Sequence, residues 1–156
     1  MTPLTLQSFI QHYELWIHSD RQGDVGPLFK AAGLHLRSGR YQLSEFAPCF
    51  AAIYFTITEF EYSRLAVWSV KFLAWLFQTL MYRGRPMWND FWMVLWQLSR
   101  DPKYVHSLHR HLVRARDKRN EQQFWSGQWM VQSVCEQDSE FAEHWRQNVQ
   151  AHGEVF

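Results

Sequence analysis

The residues best placed to do chemistry lie between positions 103 and 119. Advancing about 100° per residue around a helix, His106, Arg110, Arg114 and Lys118 fall within about 60° of Lys103, with His111 just beyond. Tyr104, Val105, Leu108, Leu112 and Ala115 occupy the opposite side. This is the pattern of an amphipathic helix whose solvent face is a row of cations, interrupted only by Asp117. Such a row can follow a phosphate backbone, releasing a counterion at each phosphate it neutralises. Arg83 and Arg85 precede the helix and extend the charge. From Arg83 to Arg119 there are nine Lys/Arg against three acids, whereas from Asn120 to Phe156 one arginine faces six acids. The formal net charge of +1 therefore conceals a dipolar chain, and the alternative fate of the row is neutralisation by its own acidic C-terminal segment.

Histidine offers further chemistry. His106, His109 and His111 crowd one helix and titrate near neutrality, yet no Cys/His partner stands at zinc-site spacing. No metal or cofactor is expected. Arg100 and His106, with five residues between them, resemble the short ribonuclease motif of the helical HEPN domains, although Pro102 falls inside the spacing. The resemblance implies that His106 acts on the 2′-hydroxyl side of a scissile phosphate while Arg100 neutralises charge. Elsewhere the chain has no phosphate-cradling glycine loop and no Gly-x-Ser-x-Gly elbow. Glu59 and Glu61 point to different sides of a helix. A non-catalytic protein is the expectation.

The elements that must position these residues are read as helices. Thr2-Pro3 is a cap-plus-proline start, followed by Leu6, Phe9, Ile10, Tyr13, Trp16 and Ile17 at helical spacing. Asp20–Gly26 is a loop, and Pro27 opens a short helix that Ser38-Gly39 ends. Ser44 caps a long apolar segment, Glu45–Tyr82. Within it Ala52–Thr58 has strand-like composition but no second strand to pair with, so helix is favoured. Leu65–Tyr82 approaches the length of a membrane span, about 20 residues. Arg64 and Lys71 argue instead for a buried core helix. Further helices start at Pro86 or Asn89, at Asp101-Pro102, at Glu121 (with Gly127 as a weak point), and at Asp138 or Ser139. Gly153 stops the last.

The sum is an all-α, compact single domain, 1–156, of about five to seven helices, large enough to need no disulfide. Cys49 and Cys135 read as buried apolar residues of a reducing compartment. Met1-Thr2-Pro3-Leu4 lacks the features of a signal peptide. A cytoplasmic protein without membrane association is expected. Nine tryptophans are many for 156 residues, and tryptophan anchors interfaces and stacks on bases as well as filling cores. The leading functional expectation is a nucleic-acid- or nucleoprotein-binding subunit or adaptor using Arg83, Arg85, Lys103, His106, Arg110, His111, Arg114 and Lys118, with RNA as one candidate. The alternative is a protein-interaction module (an inhibitor, immunity or assembly factor) that binds through an exposed aromatic surface. A small HEPN-like ribonuclease is the third.

Overall fold

The computed structural model describes residues 2–60, 62–80 and 86–156. Among them the regular structure is entirely helical: α1 (Leu4–His18), α2 (Gly26–Arg37), α3 (Leu43–Glu59), α4 (Arg64–Leu80), α5 (Met87–Ser99), α6 (Pro102–Asp117), α7 (Glu121–Gln137) and α8 (Ser139–His152). Eight helices replace the expected five to seven, because the segment read as one long helix from Glu45 divides. Phe60 leaves α3 in an extended conformation (φ −117°, ψ 127°). Its ring turns back onto Phe55 and Trp16, at centroid distances of 5.6 and 6.2 Å. Ser63 then restarts the chain, its Oγ accepting the Ala66 N–H at 3.2 Å. Ala52–Thr58 is helical, in line with the absence of any partner strand.

Local chemistry sets most boundaries. Asp101 accepts the Lys103 N–H, with Pro102 at the first helical position of α6, and Asp138 accepts from Phe141 to open α8. Both side chains satisfy amide groups that a helix start leaves unpaired. The starts of α1 and α3 differ from expectation in their caps. Gln42 and Glu45, not Ser44, form a reciprocal capping box on α3. Pro3, not Thr2, precedes α1, and no side-chain cap is made there.

Helices α3 and α5 form the centre. Ala47, Ala51 and Ala52 give α3 a small-residue face, against which Trp88, Phe91, Leu95 and Leu98 of α5 are almost wholly buried. Helices α1 and α2 pack on one side of this pair, while α6, α7 and α8 assemble against α5 on the other. Trp16 locks the first layer to the centre by donating its Nε1–H to the Leu98 carbonyl at 2.9 Å.

Helix α4 departs from its expected role as a buried core helix. It packs chiefly on α3, and only Val70 and Ala74 are buried, with Phe77 resting edge-on against Phe46 and Phe50. No helix among the described residues is long and apolar enough to cross a membrane.

Candidate functional site

The inward face of α6 is as expected: Tyr104, Val105, Leu108, Leu112 and Ala115 are all buried. The outward cationic row is not uniform. Lys103 is engaged, with Nζ 2.6 Å from Glu59 Oε1 and 3.4 Å from Asp101 Oδ2. His106 directs Nδ1 to Asn148 Oδ1 at 2.8 Å and lies 4.8 Å, ring to ring, from His152. Lys118 falls just past the helix as its C-cap. Arg83 and Arg85 lie outside the described residues.

His111 corrects the expectation outright, since it is buried rather than part of a solvent row. Burial pushes its pKa down to about 4. A hydrogen bond with Gln123 opposes that shift and the charge of Arg114 adds to it. The physical reason is the close approach of α7. That helix covers the edge of α6 where the helical wheel placed His111, and it buries Gln123 against it.

What remains of the row is a ridge of two. Arg110 and Arg114, one turn apart, are exposed and make no ion pair among the described residues. A cleft lined by Gln78, Trp92, Ser107 and His111 flanks this ridge on one side. A second cleft, lined by His106, His109, Val113 and His152, flanks it on the other. A third joins Arg114 and Lys118 to Trp75, Gln78 and Thr79 at the end of α4.

Arg100 and His106 are not brought together. The Arg100 guanidinium is bonded to Asp138 and lies 3.9 Å from Glu140 at the start of α8, above the Trp96 ring. His106 meets α8 at Asn148. Eight residues separate Glu140 from Asn148, or roughly 12 Å of helix. No single scissile phosphate would be shared by the two side chains in this arrangement.

No protein-family model, curated protein or solved structure matches the chain. Its surface must therefore be read from its own residues.

The feature that sequence reasoning missed is the solvent side of α4. Leu65, Trp68, Phe72, Leu73, Trp75 and Leu80 are all exposed, Leu65 at 72% and Trp68 at 64%. Trp68 and Phe72 stack at 5.5 Å with planes 10° apart, and Trp75 continues the run 6.0 Å from Phe72. These side chains share one arc of the helix, opposite Val70 and Ala74. Helix α4 carries no acid, and its two cations, Arg64 and Lys71, border the arc. A signal for this face was present in the sequence, since apart from Arg64, Ser69, Lys71, Gln78 and Thr79 every residue of α4 is apolar. That pattern reads equally as complete burial or as one face buried by the chain and another awaiting a partner. Among the nine tryptophans, Trp125 and Trp129 of α7 are also exposed, at 59% and 74%, and add a smaller aromatic surface.

Proposed function

We propose that this protein is a non-catalytic interaction module, and that the outer face of α4 docks an acidic amphipathic helix of a protein partner. The observation that carries the reading is the row of six exposed apolar side chains on a helix whose other face is already packed. Contiguous apolar surface of this kind is uncommon on a monomer and marks binding sites. Aromatic anchors supply most of the energy in helix-in-groove recognition. The partner's acidic character follows from charge: Arg64 and Lys71 border the face, Arg110 and Arg114 stand beyond its end, and α4 offers no acid to a basic partner.

The test uses two synthetic amphipathic helices of one apolar pattern, carrying glutamates or lysines on the polar face. The acidic peptide is expected to bind and shift tryptophan emission to the blue, more weakly at high salt. Trp68→Ser/Trp75→Ser should abolish the effect. Equal binding of both peptides, or full binding by the double variant, would defeat the reading. Concentration-dependent dimerisation lost in the variant would assign the face to a second copy, and binding to lipid vesicles would assign it to a membrane surface.

A second reading, nucleic-acid binding along α6, is supported by one specific observation. Arg110 and Arg114 carry charges that no acid among the described residues neutralises, and Trp75 beyond them offers a stacking surface. The reading is narrower than the row of eight residues suggested, since Lys103 and His111 are otherwise engaged. Two phosphate contacts would give a salt slope of about two units. Arg110→Gln/Arg114→Gln should remove it.

A further inference from the structure

The cleft on the α8 side of the arginine ridge carries an inference beyond the docking face. Its volume is about 390 Å³, and its lining is His106, His109, Arg110, Val113, Arg114 and His152. Small-molecule sites span roughly 300–1,000 Å³. Five of the six lining residues are cationic or become so on protonation, and none is acidic.

The hydrogen-bond network fixes how the imidazoles are presented. Asn148 donates its Nδ2–H to the His144 carbonyl at 2.9 Å, so its Oδ1 faces His106 and accepts from His106 Nδ1–H. Nε2 of His106 is left outside that bond. His109 donates Nε2–H to the Gly153 carbonyl at 3.0 Å. The His152 ring sits 4.8 Å from His106 and 6.0 Å from His109.

The surrounding charges do not compensate this gathering. On α6, Lys103 is held by Glu59 and Arg116 donates to the Glu154 carbonyl at 2.7 Å. On α8, Glu143 is paired with Arg146 and His144 packs on Trp96. Two guanidinium groups and the imidazoles thus share one concavity without a carboxylate. Mutual repulsion between the two guanidinium groups is relieved by an anion.

We propose that this cleft binds a phosphate group carried on a small molecule, held by Arg110 and Arg114 on one wall and by His106 and His152 on the other. A phosphate fits better than a carboxylate because its charge approaches two and its oxygens accept from two walls at once. Guanidinium groups match its geometry in bidentate fashion.

Histidine ring resonances of the full chain, followed by NMR, provide the test, with inorganic phosphate, phenyl phosphate, sulfate and acetate as probes at matched ionic strength. Phosphate, phenyl phosphate and sulfate are expected to shift His106 and His152 with millimolar or tighter affinity, and acetate is not. Arg110→Gln/Arg114→Gln should weaken binding by at least about tenfold. His152→Gln, at the exposed end of α8, gives a second variant that should weaken sulfate binding. Unmoved resonances, equal shifts with acetate, or undiminished affinity in both variants would overturn the proposal. So would a response to an oligonucleotide alone, which would assign the cleft to a polynucleotide strand. Trp68→Ser/Trp75→Ser should leave the phosphate response intact, which separates failure of this site from failure of the docking face.

Discussion

A methyl group placed on Gly127 would lie 2.2 Å from Leu112 Cδ2 and 3.1 Å from its Cδ1. Helices α6 and α7 are therefore as close here as a hydrogen on the glycine allows. Gly127 read from sequence as a weak point in a helix, but its role is to admit Leu112, which is fully buried. Gly127→Ala should destabilise the fold by about 1–3 kcal/mol through overpacking, despite a gain of about 1 kcal/mol in helix propensity. Denaturant titration measures the balance. A stabilised variant would show that the two helices separate at little cost.

Acid should weaken the protein through His111. Its folded pKa of about 4 lies below the unfolded value of roughly 6.5, so the unfolded chain binds the extra proton. The neutral ring leaves stability complete above about pH 6.5, and it is lost progressively as pH falls towards 4, by about 3 kcal/mol at the lower end. His109 is also lowered, first by burial and then by His152, His106 and Arg116 against the Gly153 hydrogen bond, and its contribution has the same sign. Unfolding free energies from pH 7.5 to 4 should show the decline, and His111→Gln should reduce its slope by up to one proton. A slope unchanged in that variant would remove His111 from the account.

The two sides of α6 should respond oppositely to substitution. Arg110→Gln and Arg114→Gln change exposed side chains without ion pairs among the described residues, and stability should move by no more than about 0.5 kcal/mol. Leu108→Ala and Leu112→Ala each open space at fully buried positions and should cost about 2–5 kcal/mol. Thermal melts of the four variants decide the matter. A large loss from either arginine would mean that the ridge serves the fold and not a ligand.

Asp138 ties three elements together. It caps α8 through the Phe141 N–H, accepts from Trp96 Nε1 at 3.2 Å, and holds Arg100. Partial burial raises its pKa, but the hydrogen bonds from Phe141, Trp96 and Arg100 outweigh this, and the net shift is downward. Its contribution is therefore present above the ordinary carboxylate range and is lost as pH falls through the depressed value. Asp138→Ala removes cap and ion pair together and should cost about 2–4 kcal/mol, with Asp138→Asn costing less because an amide oxygen still caps. Equal losses in the two variants would show that the cap, not the charge, is unimportant to α8.

The sequence by itself determined the helical class, most helix starts and the inward face of α6, because each depends on interactions local in the chain. Caps such as Asp101 and Asp138 act over three residues, and the spacing of Leu108, Leu112 and Ala115 follows from the helical repeat alone. Tertiary structure decided which polar side chains stay free. Lys103 lost its freedom to Glu59, 44 residues away, and His111 lost its exposure to α7. Arg100 was drawn to α8, away from His106. No periodicity encodes these encounters, which depend on how helices distant in sequence come to pack. The same limit applies to α4: its composition shows an apolar helix, but only the position of α3 leaves Trp68, Phe72 and Trp75 facing outward. The cleft of His106, Arg110, Arg114 and His152 likewise exists because α8 returns alongside α6. Neither helix contains the site alone.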